Sequence, residues 1–225
     1  MNNRSTAIRN LPRLAALVAG LLSAAGALAQ GAPWVGETLA GGPCTGQPQG
    51  YGPYDYTQRF SYSHELMLVE RSHFTQKVEL LQGGSTGKIQ GDLDYTLRAW
   101  PNHHRALNSI SRYGLEFHRK QRSEPPYSPV ECYFQRALNY SPKDATATLL
   151  YAIYLHKTGH RDKALEAYET AHELAPENPQ VMYNMSLLLV DLGQLERAKS
   201  YATKLYANGF PLPGLKNQLQ QKGAW

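Results

Sequence analysis

A chain of 225 residues, 42% hydrophobic and 18% charged, can bury enough core for one domain, which excludes a wholly disordered polymer. Its mean hydropathy of −0.49 excludes a polytopic membrane protein. The formal charge of +5 invites a nucleic-acid reading, which the first segment weakens.

Residues 1–29 have the three-part form of a secretory signal. Arg4, Arg9 and Arg13 form a basic start without acids, Leu14 to Leu28 is an apolar run, and Ala27-Leu28-Ala29 places small residues at a cleavage site before Gln30. The alternative is an uncleaved anchor, but the run is shorter than the roughly 20 residues a span needs. No Arg-Arg pair marks twin-arginine export, and no cysteine stands at the cleavage site for lipid attachment. Loss of the three arginines takes the charge from +5 to +2. The expectation is a periplasmic or secreted protein with no stable membrane span after cleavage and no nucleic-acid partner.

Residues 30–62 are rich in Gly, Pro and Tyr and read as an extended coil, with Tyr51, Tyr54, Tyr56, Phe60 and Tyr62 too many for a plain linker. Cys44 lies in this coil and Cys132 in an expected helix. In an oxidising compartment the two can form a disulfide pinning coil to body; the alternative is a buried Cys132 and a loose Cys44 thiol. Ser63 can cap a helix from His64 to about Leu81, with Met67, Phe74, Val78 and Leu81 on one face and Gly83-Gly84 at its end.

Beyond Gly91 the chain repeats itself. Thr96–Pro101, Arg136–Pro142 and Thr170–Pro176 each end a helix with an alanine-containing turn and a proline. The last two prolines, at 142 and 176, are 34 residues apart, and the longer first interval is accounted for by the loop Glu124-Pro125-Pro126-Tyr127-Ser128-Pro129. This period and its residues resemble the tetratricopeptide repeat. In 145–178, Ala152, Gly159, Ala164, Tyr168, Ala171 and Pro176 stand at the signature positions, with Thr148 in place of the family's tryptophan. Residues 179–212 keep Asn184, Gly193 and Ala198, and 104–144 keep Leu107, Phe134 and Ala137. Residues 92–101 resemble the tail of a degenerate fourth unit, and 213–222 a capping helix with Leu212, Leu215 and Leu219 at helical spacing. The resemblance implies an all-α fold, a short right-handed superhelix of helical hairpins over 63–225 behind the coil.

Catalytic and metal motifs fail on spacing. Gly83-Gly84-Ser85-Thr86-Gly87-Lys88 is one residue short of a phosphate loop and lacks the following Ser or Thr. Asp92 and Asp94 have no downstream glutamate for calcium. His103-His104 diverge on a helix, and His156 and His160 straddle Gly159, so packing or solvated histidines are the preferred reading over metal ligands. No enzyme, cofactor or metal site is expected.

By phase with the family, the first helix of each unit lines a groove. The candidates are Arg105, Asn108 and Arg112, then Thr146, Leu149, Ile153, His156 and Lys157, then Gln180, Tyr183, Asn184 and Leu187. The surface reads as basic at one end and apolar in the middle, suited to a protein or peptide segment with an acidic end. Packing between helices is the competing role for these residues. The tyrosine-rich coil 51–62 is a candidate occupant within the same chain. The expected function is an exported adaptor; a structural subunit of an envelope or extracellular assembly is the alternative.

Overall fold

The computed structural model describes residues 31–225; the expected signal segment 1–29 lies outside the described residues. Among the described residues the chain is all-helical, with ten α-helices and a single isolated bridge between Glu37 and Pro43. In chain order these are α1 (Ser63–His73), α2 (Gln76–Glu79), α3 (Ile89–Ala99), α4 (His104–His118), α5 (Val130–Tyr140), α6 (Ala145–Lys157), α7 (Arg161–Leu174), α8 (Pro179–Asp191), α9 (Leu195–Ala207) and α10 (Gly214–Gln221). From α3 onward neighbours in sequence pack on one another as helical hairpins, α1 packs on α3, and α6 lies beside both α4 and α8.

The local chemistry sets these boundaries. Asp144 caps α6 by accepting from the Thr146 and Ala147 amides, and Asn178 caps α8 in the same way with Pro179 at the first helical position. Gly159 ends the α6 turn at φ +86°, a conformation costly for residues with a Cβ. Small residues then let the helices close up. Ala152, Ala164, Ala171, Ala198 and Ala202 are fully buried, and Leu155 and Tyr168 fill the layer beside them. Gly114 does the same between α4 and α5, since a Cβ there would lie 2.5 Å from a Val130 methyl.

The expected helix 64–81 is broken. Tyr62, not Ser63, is the capping position, and it makes no side-chain cap bond. The chain leaves the helix at Phe74 and re-enters at Gln76. The break turns Phe74 inward onto the His103 ring, 4.8 Å away, while Val78 and Leu81 join the core of α3 and α4. Met67, expected on the same face, is half exposed at 50%. α2 ends at Glu79, and Leu81 just beyond it lies in the left-handed region at φ 60°, two residues before Gly83-Gly84. In α10, Leu215 and Leu219 are buried while Leu212 precedes the helix and is exposed.

The coil is fastened to the helices, and not where the groove was expected. Arg136 is almost fully buried and donates to the carbonyls of Ala32 and Leu97 and to Gln49 Oε1. Trp34 meets Tyr133 edge-on at 5.2 Å. Cys44 and Cys132 are joined by a disulfide with Cα atoms 5.3 Å apart. Farther on, Tyr54 donates its amide to the Ala99 carbonyl, Ser141 donates to Asp55, and the Tyr56 ring packs at a tilt on His103 with centroids 4.3 Å apart. The coil therefore follows α3, α5 and the loops entering α4 and α6. The candidate placement of the coil in the groove is corrected: its polar anchors on the body, Arg136 of α5, Asn102 before α4 and Ser141 after α5, are not groove positions. Of the groove candidates it approaches Arg105, beside Tyr56 and Arg59, and Lys157, with which Leu39 and Ala40 share a cleft.

Candidate functional site

Helical phase alone places the predicted residues in three rows. Arg105, Asn108 and Arg112 recur at three and seven residues along α4; Thr146, Leu149, Ile153 and Lys157 share one side of α6; and Gln180, Tyr183, Asn184 and Leu187 share one side of α8. Because α4, α6 and α8 are lateral neighbours, the rows form one face. Leu149 is buried at 7%, and Ile153, Tyr183 and Leu187 are half-buried against the same core. Lys157 and Gln180 are exposed. The middle is thus an apolar strip set between polar ends.

Several of these side chains already have partners. Arg105 pairs with Glu79 and, at 3.2 Å, with Glu70, so the basic end is largely neutralised within the chain. The Arg105 pairing lowers the Glu79 pKa, and a bond from His103 lowers that of Glu70. Among the described residues Arg112 has no ion pair and remains the available cation on α4. His156 contacts Asp191 at 2.9 Å and ties α6 to α8. Tyr183 packs on Phe210 with ring centroids 4.9 Å apart, toward the α10 end. Asn184 donates to the Gln180 carbonyl of its own helix, 2.8 Å away, rather than projecting as a free clamp.

At the edge of the face lies a polar network that sequence reading missed. Asn102 and His103 precede α4, and Asp144 precedes α6. Asp144 accepts from His104, from Asn102 and from two α6 amides. Burial pushes its pKa up, but His104 and the other donors outweigh this and hold it below the usual carboxylate range. His103 uses both ring nitrogens. Nδ1 accepts from the Ala106 amide at 3.1 Å, which requires Nε2–H to donate to Glu70 at 3.0 Å. Burial lowers the His103 pKa, consistent with a neutral ring that caps α4. Adjacent His103-His104 read in sequence as packing or solvated histidines rather than metal ligands; their Glu70 and Asp144 partners lie far along the chain, so no local pattern exposes the network.

The Gly83–Lys88 loop is likewise occupied. Its Ser85 and Thr86 amides and the Thr86 hydroxyl all donate to the buried Asp92 carboxylate, which also meets His73 at 2.9 Å. A loop that superficially resembles a phosphate cradle binds the chain's own acid. Among the described residues no three His, Cys, Asp or Glu side chains converge to hold a metal ion. No described helix is long and apolar enough to cross a membrane.

Residues 155–205, from the end of α6 through α9, match the family model described as tetratricopeptide repeat. Comparison with the curated proteins finds no match. Tetratricopeptide repeats are protein–protein interaction modules and typically non-catalytic, because stacked hairpins offer an extended face rather than a closed reaction site.

Proposed function

We propose that this chain, a tetratricopeptide repeat protein, is an exported non-enzymatic adaptor that holds a peptide or protein segment along the α4–α6–α8 face. The observation that carries the reading is the half-buried strip of Ile153, Tyr183 and Leu187 continuing from Leu149, with Arg112 and Lys157 beside it. An apolar strip between polar rows takes alternate side chains of a bound segment, and the two cations select acidic neighbours. Export is supported by the signal-like form of residues 1–29 and by the Cys44–Cys132 bond, which persists in oxidising compartments.

Affinity capture from the exported fraction tests this. Ile153→Asp with Leu187→Asp, and separately the exposed change Lys157→Glu, should remove the captured protein. Thr203→Ala on α9 should not. Capture indifferent to all three changes refutes the face. Thermal melts of each variant separate lost binding from lost folding.

A second reading, a subunit of an envelope or extracellular assembly, is favoured by one observation. Phe60 is 81% exposed beside half-exposed Met67 at the α1 end of the helices. Sedimentation over a hundredfold concentration range decides: growth into large species supports the subunit, and a constant small species supports the adaptor.

A further inference from the structure

Beside that face, the chain has a cleft formed by the loop between α4 and α5 together with the coil. The Pro-rich segment 119–129 that lengthens the first unit forms one wall, the ends of α4 and α6 form the floor, and the Leu39–Ala40 turn of the coil forms the opposite wall. The cavity is about 620 Å³, room for one or two side chains of leucine or phenylalanine size. Phe117, Leu39 and Val130 contribute apolar lining, with Val130 buried at 2%.

The charges around it are one-sided. Arg119 and Lys157 are exposed in its lining, and among the described residues neither has an ion pair. The single lining carboxylate, Glu131, is 6% exposed and is taken by the Leu39 amide at 2.9 Å. An apolar floor beneath two unpaired cations favours an apolar group carrying negative charge beside it. Lys157 also belongs to the α6 row of the face, so cleft and face are continuous.

We infer that the cleft is a specificity pocket for an acidic peptide segment, taking one apolar side chain onto Phe117 and Leu39 while flanking Asp or Glu residues meet Arg119 and Lys157. The inference rests on the adaptor reading, since the segment reaches the cleft from the α6 side. The pocket adds selection: a bare apolar segment lacks partners for the two cations, and a basic one meets like charge.

The test uses the intact disulfide-bonded protein and fluorescein-labelled nonapeptides capped at both ends, read by polarisation at low salt. The probes carry a central Leu or Phe flanked by Asp and Glu, with matched sets carrying Lys flanks or a central Ser. Acidic Leu or Phe peptides should bind at least tenfold tighter than either control set, and Arg119→Glu or Phe117→Ser should weaken them at least fivefold. Arg119 is exposed, so its reversal leaves the fold intact, as a melt would check. Binding that ignores Arg119→Glu, or no preference among the peptide sets, overturns the pocket. If those two cleft changes leave partner capture unaffected while Ile153→Asp with Leu187→Asp abolishes it, the pocket falls and the face stands. Self-association blocked by Arg119→Glu would assign the cleft to a second copy and overturn the peptide.

Discussion

Removing the Cys44–Cys132 bond should destabilise the protein more than any single surface change. The bond closes a loop of 88 residues, and the chain-entropy relation puts that constraint at about 4.6 kcal/mol. For a chain of this size each kcal/mol moves the melting temperature by about 2–4 °C, so Cys44→Ala with Cys132→Ala should lower it by about 9–18 °C. Cys132 is fully buried, and alanine leaves no unpaired polar atom in its place. Differential scanning calorimetry of the double variant, beside the native protein with and without a phosphine reductant, measures the effect. The reduced native protein should melt close to the variant. A drop of less than about 3 °C would refute the reasoning, showing that Arg136, Trp34 and the Asp55 contacts hold the coil without the covalent link.

The histidine cap predicts a pH signature. His103 is neutral when folded and its pKa is lowered by burial, so the unfolded chain binds the extra proton first. Stability should be level above about pH 7 and fall as pH drops through about 6.5, the unfolded value, toward the lower native one. His103→Asn keeps a capping acceptor and should flatten that part of a urea-denaturation profile; an unchanged slope would refute the neutral cap. Asp144→Ala removes a helix cap and several charge-assisted bonds, and should cost about 2–4 kcal/mol by chemical denaturation at pH 7. Because the Asp144 pKa is lowered on folding, this contribution is present above about pH 4 and fades as pH falls through the native value, so variant and native curves should converge in acid. Gly114→Ala should cost about 1–3 kcal/mol through the Val130 clash, and Gly114→Ala with Val130→Ala should cost less than the separate effects added.

The helical hairpins were legible because their signals are local and periodic. Ala164 and Pro176 recur 34 residues away as Ala198 and Pro142, and Ala152 and Tyr168 stand at signature positions of the repeat. The break at Phe74 was not, because the 64–81 periodicity is satisfied by a straight helix and only the tertiary pull of His103 and the α3–α4 core bends it. Arg136 shows the same limit from another side. It sits in an ordinary helical stretch, and its buried role depends on carbonyls from Ala32 and Leu97 that sequence spacing does not bring near. For the face, phase placed the side chains on their rows, yet it could not show that Glu70 and Glu79 neutralise Arg105 or that Asn184 bonds its own helix. Charge at a binding surface depends on which acids fold back over it, and α1 and α2 supply these from outside the repeat pattern.

Site-specific photocrosslinking tests the binding face most directly. A benzoylphenylalanine placed at Ile153 in the face, and in a second variant at Thr203 on α9, is irradiated in cells that produce the protein. The α4–α6–α8 assignment predicts a discrete adduct with another protein from position 153, lost when Lys157→Glu is added, and none from position 203. Adducts from position 203 alone, or equally from both positions, would contradict it.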